Sequence, residues 1–437
     1  MSYNDQIHLF NANVLAFPPI QSAQKITFDF KQARPLSLDK FPNRSPAGSN
    51  TIITTLANVE FLLASYEIEV FYNVITKKIA ILFQGKATTV DNAEEILMNY
   101  IISLAALNGM PISKIHSFVA TIAYKNPINP AADWMLSNPW DGIDRLTAFY
   151  ETLVTKESFP LTLKEILMYS WMLSVVAATL KPQGFKARGV LTLQGRQSIG
   201  KTSWVKSLIP DPFLCEQLIK IDHHLDAHNK DSMLTALSHL IVEIGELDSS
   251  LNMKGIARLK GFLTSDMDKI RRPYARTASE YPRRTVFVAT VNEDRFLIDA
   301  TGNSRFWTLP LIEIIYEHGI DMQQLFAQLV VDFNNGATWW LSKENEALLE
   351  TLNNANHKSV SVIQERVING INSNASNERN LSALSASEVL MKLGIRFPSN
   401  LQAKECAAIL RELLGDSKRI NGINKWRVSF NHNPYEE

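Results

Sequence analysis

The chain has 437 residues, 46% hydrophobic and 20% charged, enough for two to four domains with sizeable cores. Its 44 Lys and Arg balance 44 Asp and Glu. That balance excludes a whole-chain electrostatic footprint for nucleic acid, so any such binding must come from local patches. Two isolated cysteines, Cys215 and Cys406, exclude a disulfide framework or a zinc site. The opening residues lack the pattern of a secretory signal, so a reducing cytoplasm and no membrane partner are expected.

Residues 1–50 read as a flexible arm, turn-rich around Arg34-Pro35 and Pro42-Asn43-Arg44-Ser45-Pro46. A mostly helical domain is predicted over 51–155. Glu69 to Asn73 and Lys78 to Phe83 form a hairpin pair within it, and Ala93 to Asn108 has a helical apolar face. Ile166 to Leu180 is apolar but interrupted by Tyr169, Ser170 and Trp171, and reads as a core helix too short to span a bilayer comfortably. Over 156–315 the pattern becomes helices alternating with continuous apolar runs: Val190 to Leu193, Leu240 to Ile244 and Val286 to Val291. Such runs suit an α/β fold whose parallel sheet is covered on both faces. His223, His224 and His228 have metal-compatible spacing but no fourth ligand, so they read as solvated or hydrogen-bonded. A helical extension is expected over 316–370. Over 378–432, helices at Ser385–Leu393 and Ala403–Leu414 precede a basic-tipped hairpin at Arg419–Val428, the outline of a winged helix.

Residues Gly195-Arg196-Gln197-Ser198-Ile199-Gly200-Lys201-Thr202 form an unbroken G-x-x-x-x-G-K-[ST] phosphate loop between an apolar run and a helical stretch. Backbone N–H groups of Gly195, Gln197, Ser198, Ile199, Gly200, Lys201, Thr202 and Ser203 would cradle the phosphates of ATP. Lys201 would reach the β and γ phosphates, and Thr202 would hold Mg²⁺. Leu240-Ile241-Val242-Glu243-Ile244-Gly245-Glu246 is a second acidic motif. Glu243 would hold Mg²⁺, and Glu246 would polarise the attacking water if the chain bends at Gly245; a solvated helix start is the competing reading of both carboxylates. Asn292 ends a third apolar run, where ligands of open α/β sheets bind, and either touches the γ-phosphate or simply turns the chain. Arg305, on the loop Thr301-Gly302-Asn303-Ser304-Arg305, suits an arginine finger or a plain surface residue.

From Lys269 to Arg284 there are six basic residues, one acidic residue and two tyrosines. Cations interleaved with rings suit a groove for single-stranded nucleic acid, with Lys269, Arg271, Arg272, Tyr274 and Arg276 as the contacts. Contact with nucleotide across a subunit boundary and a merely solvated loop are the other two readings.

These motifs, in this order, resemble the virulence-associated E family of phage and mobile-element proteins. That family is related to superfamily III helicases and to the helicase halves of viral primase-helicases. Asn138-Pro139-Trp140-Asp141-Gly142-Ile143-Asp144-Arg145-Leu146 is similar to the segment preceding the ATPase domain there. The resemblance implies an AAA+-like P-loop ATPase assembled as a ring, a hexamer, with ATP and Mg²⁺ bound between subunits and used to translocate on or unwind DNA. Replication proteins are implied as further partners. Lys201, Thr202, Glu243, Asn292 and Arg305 match the family positions. Glu246 departs from the adjacent acidic pair of many helicases. The first 130 residues are short for the primase-polymerase domain of many relatives and contain no Asp-x-Asp pair. Two alternatives stand beside the helicase reading: an initiator or adaptor that uses ATP only to assemble on DNA, and a P-loop enzyme of another class such as a kinase.

Overall fold

The structure, a computed structural model, describes residues 33–45, 51–83, 93–183, 185–226, 229–245, 261–263, 265–270, 279–297, 303–357, 362–372 and 381–431. The chain divides into two compact units, residues 1–294 with 301–354, and residues 295–300 with 355–437. It is a mixed α/β protein whose main sheet is mostly parallel.

The first unit opens with α1 (Leu56–Ser65), whose orphan N–H at Asn58 is capped by the Thr55 hydroxyl. It is followed by β1 (Ile68–Asn73), β2 (Ile79–Phe83), α2 (Ala93–Leu107), α3 (Ile115–Lys125) and β3 (Pro127–Ile128). The strands form a small sheet in the order β2-β1-β3, with β1 antiparallel to β2 and parallel to β3. Val59, Leu62, Val70, Leu97, Ile101 and Val119 are buried in a core of this part's own.

The next elements belong to a second, larger core: α4 (Pro130–Met135), α5 (Leu146–Glu151), β4 (Leu153–Thr155) and α6 (Leu161–Leu180). Helix α6 extends the expected stretch to 20 residues, so by length and composition it could cross a membrane. It is instead the central helix of the unit. Leu167, Trp171, Leu173, Val175, Val176 and Ala177 are fully buried, and the Trp171 indole donates to the Phe287 carbonyl at 2.8 Å. From Ser170 to Leu180 every residue is buried, and a helical stretch packed on every side has no need of a polar face, which explains its apolarity.

Then come β5 (Val190–Gln194), α7 (Lys201–Ser207), α8 (Pro212–Leu218), β6 (Ile219–His223), α9 (Lys230–Leu237), β7 (Ile241–Ile244), β8 (Met267–Ile270), β9 (Ser279–Pro282), β10 (Val286–Val291), β11 (Phe306–Ile314), α10 (Met322–Asn334) and α11 (Lys343–Asn356). The main sheet runs β4-β11-β5-β10-β7-β6, parallel except for the edge strand β4. The three apolar runs of the sequence are β5, β7 and β10, buried throughout because the sheet is covered on both faces. The Asn138–Leu146 segment is fixed to α10 by amides: Gln324 Oε1 accepts from Asp141 N at 2.8 Å, and Gln328 bonds Arg145 N and the Asp144 carboxylate. A two-contact Asp141–Arg145 pair stiffens it further and holds the Asp141 carboxyl down at about 2.

The second unit contains α12 (Val362–Gly370), β12 (Ala383–Leu384), α13 (Ala386–Lys392), α14 (Asn400–Leu414), β13 (Lys418–Ile420) and β14 (Ile423–Arg427). Its antiparallel sheet runs β12-β14-β13, and Val367, Val389, Leu390, Cys406, Leu410 and Trp426 fill its core. Capping boxes start α13 and α14, Ser385 with Glu388 and Ser399 with Gln402.

Candidate active site

In a parallel sheet every strand delivers its last residue to the same edge, so β5, β7 and β10 converge there. Leaving β5, Gly195 N donates to Val291 O of β10 at 3.1 Å, and residues 195–200 loop back into α7. Ser198 and Gly200 have positive φ of 65° and 101°, and this tight reversal places Lys201 in the first turn of the helix. Lys201 is buried. Its Nζ donates to Gly195 O at 2.6 Å, to Arg196 O at 3.0 Å and to Asn292 Oδ1 at 2.7 Å. The ammonium therefore ties the loop closed and joins it to the tip of β10.

One residue along, the Thr202 hydroxyl donates to Glu243 Oε1 at 2.6 Å. Glu243 is 1% exposed, and its Oε2 accepts the Asp222 amide at 3.3 Å. Burial raises its pKa above the ordinary 4.5, against hydrogen bonds from Thr202, the Asp222 backbone and Thr290 that pull it down. A divalent cation there would restore charge balance to a desolvated carboxylate. Among the described residues no group of three or more His, Cys, Asp or Glu is placed to hold a metal. Thr202 and Glu243 thus bring a hydroxyl and a buried carboxylate oxygen together at the strand edge.

Lys201, Thr202, Glu243 and Asn292 are brought together as expected from their positions, with Gly195, Gln197, Ser198, Ile199, Gly200 and Ser203 in the loop and the first turn around them. Arg305 is not. It ends a short helical turn, Asn303–Arg305, at the start of β11, and Phe306 pairs with Val190 at the beginning of β5, the opposite edge of the sheet. Asn353 of α11 fixes that turn by donating to Asn303 O and Phe306 O. Lys269 lies in β8, which among the described residues pairs with β9 in a two-stranded sheet separate from the main one. Glu246, Arg271, Arg272, Tyr274 and Arg276 lie outside the described residues.

Sequence reasoning missed two acidic neighbours. Asp222 sits where the β6 register against β7 shifts, with φ of 49°, and its carboxylate occupies the space a Cβ at Gly245 would need. It is a second acid beside Glu243. Asp294, two residues past Asn292, accepts from Gln194 at 3.0 Å and from Lys156 at 3.2 Å. Neither strand-end motif nor spacing signals them, because both depend on where an irregular turn lands.

The helix after the loop is latched by a histidine. His318 Nδ1 accepts Ile320 N at 3.1 Å, so Nε2 carries the proton and faces Ser207 Oγ at 3.1 Å. Burial lowers this imidazole below its ordinary 6.5. The folded state then binds fewer protons than the unfolded chain, so the latch contributes fully above 6.5 and is lost as pH falls through the lowered value. His318→Asn is therefore expected to flatten the decline in melting temperature between pH ~7.5 and ~5; an unchanged slope in thermal scans would remove this role.

Comparison with known proteins finds the family described as virulence-associated protein E-like domain over residues 135–358, just over half of the chain. No curated protein matches. Solved structures that match include the A-form apo structure of the NrS-1 C-terminal region, at 16% identity, covering 85% of this chain and 99% of that one with a TM-score of 0.36. A second apo structure of the same region has 16% identity, 85% and 98% coverage and a TM-score of 0.34. The matched span takes in the segment at Asn138–Leu146, the loop at Gly195–Thr202 and the strand ends at Glu243 and Asn292, and on that match the chain belongs to the virulence-associated protein E-like family.

Proposed function

We propose that this chain is an ATP-dependent DNA helicase or replication motor of a phage or mobile element, built on an AAA+-like P-loop core with a winged-helix second unit. One observation carries the reading: Lys201, Thr202, Glu243 and Asn292 meet around a tight loop at the carboxyl edge of a parallel sheet. A cation, an amide, a hydroxyl and a buried carboxylate in this order match what a nucleoside triphosphate with Mg²⁺ presents along its length. The loop N–H groups would bind phosphate oxygens, and Lys201 would exchange its carbonyl partners for them. Thr202 and Glu243 would hold the metal, and Asn292 would orient water or the terminal phosphate. Bound ATP would supply the phosphoanhydride whose hydrolysis drives movement.

The base that takes the proton from water is Glu246 in this reading, with Asp222 next to Glu243 as a polar support. Arg305 at the opposite sheet edge suits action on a neighbouring subunit's nucleotide, which calls for a ring, taken here as a hexamer. Lys269, Arg271, Arg272, Tyr274 and Arg276 would track single-stranded DNA in its channel. In the second unit the order α12, β12, α13, α14, β13, β14 supports the winged-helix reading, in which Lys418, Arg419, Lys425 and Arg427 on the hairpin would meet duplex phosphates. The test combines ATPase rate with and without single-stranded DNA, strand displacement, and mass in solution with nucleotide. The expected result is DNA-stimulated hydrolysis, unwinding and nucleotide-dependent rings. Rings and DNA binding without unwinding would make it an initiator or adaptor; hydrolysis indifferent to DNA would make it an enzyme of another class.

A further inference from the structure

We infer that the Tyr316 ring is the stacking surface for the nucleobase, an inference that rests on the nucleotide reading of the loop and extends it to the other end of the ligand. Sheet order gives the direction. Asn292 on β10 and Glu243 on β7, the groups that face the terminal phosphate and its metal, both lie to one side of β5. A triphosphate whose far end meets Lys201 and Asn292 must send its nucleoside the opposite way, toward β11. The chain leaving β11 is what it meets there.

That segment lies directly on the phosphate loop. A Cβ placed at Gly200 would come within 2.6 Å of Tyr316 Cδ1, and with φ at 101° the position is reserved for glycine on both counts. The ring is thus in contact with loop backbone, yet Tyr316 remains 41% exposed. One part of the ring seats on the loop, and the rest is available to a flat partner. Its position is not left to chance. Ile315 N donates to Thr152 O at 2.8 Å, and the His318 latch fastens the same segment to Ser207 at the end of α7. A pre-positioned, half-open aromatic beside a phosphate cradle recognises a π-face more than any one hydrogen-bond pattern, so the ligand class is a nucleoside triphosphate with weak discrimination between bases.

The experiment separates base from phosphate. Binding of Mg·ATP and of Mg·tripolyphosphate, which has no base, is measured by calorimetry for the full chain and for Tyr316→Ala, Tyr316→Leu, Tyr316→Phe and Lys201→Ala. Tyr316→Ala and Tyr316→Leu are expected to weaken ATP about tenfold and leave tripolyphosphate unchanged, while Tyr316→Phe stays within about twofold for both. Leucine keeps an apolar group on Gly200 if alanine disturbs folding. Equal ATP affinity in Tyr316→Leu, or equal losses for both ligands, would overturn the stacking role, the latter because the ring would then only prop the loop. Lys201→Ala is expected to weaken both ligands. If the wild-type chain bound neither, the nucleotide reading itself would fall, an outcome distinct from a failure confined to Tyr316.

Discussion

Lys201→Ala is expected to lower the rate of ATP hydrolysis by about 10²–10³-fold, the loss typical of removing one preorganised donor from a charged transition state. The structure gives the reason in terms of geometry. Among the described residues the ammonium donates to three neutral oxygens, two from the loop it closes and one from Asn292, and phosphate oxygens are acceptors of the same kind. Alanine removes both the charge and the tie between loop and β10. Lys201→Arg is expected to fail nearly as badly, because a planar fork cannot reproduce a compact donor converging on three acceptors. Folding should survive, since the core under this helix is made by Trp204, stacked on Phe149 and donating to the Thr152 hydroxyl, not by Lys201. Steady-state turnover with a melting curve on the same sample checks both halves, and undiminished turnover would sink the assignment.

How much of this site is readable from residue order follows from how parallel sheets are built. Continuous apolar runs announce β5, β7 and β10, and the ends of these runs are delivered to one edge, so the loop that follows β5 and carries Lys201 can be grouped with Glu243 and Asn292 from residue order. Strand β11 is less visible because Pro310 interrupts a pattern that otherwise reads as strand; the structure accommodates it next to the short edge strand β4, with Pro310 O accepting from Lys156 N at 2.8 Å. Strand β6 alternates Ile219-Lys220-Ile221-Asp222-His223 at the sheet's far edge, and a register shift there decides where Asp222 points. No local rule gives that shift. Tyr316 is hidden for another reason, since the contact with Gly200 depends on the path taken after a strand ends. The side of the sheet that receives Arg305 is likewise a matter of topology: the Gly-containing loop suggests a presented guanidinium, and the pairing of Phe306 with Val190 carries it away from its own phosphate loop.

Glu243→Gln should separate activity from stability, and in opposite directions. The carboxylate is buried, and its folded-state pKa is raised because desolvation outweighs the bonds from Thr202, Asp222 N and Thr290; the nearby Asp222 charge raises it further. For a group shifted upward the sign is fixed. The folded state binds the proton more tightly than the unfolded chain, so the contribution to stability is complete below the ordinary value of 4.5 and is lost as pH rises through the raised one. Near pH ~8 the wild-type chain without ligand holds an ionised carboxylate at a net cost, which the isosteric amide avoids; its oxygen still accepts from the Thr202 hydroxyl, and the bond given up is the longer one from Asp222 N at 3.3 Å. The melting temperature of Glu243→Gln without ligand is therefore expected to equal or exceed that of the wild type near pH ~8, and the difference to vanish near pH ~4. Hydrolysis is expected to fall by about 10²-fold, and the stabilisation by Mg²⁺ with nucleotide to shrink, because the charge that holds the cation is gone. Loss of stability and turnover together would mean that Glu243 is a packing element. Unchanged turnover with a higher melting temperature would move the metal-holding role elsewhere, with Asp222 beside Glu243 as a candidate among the described residues.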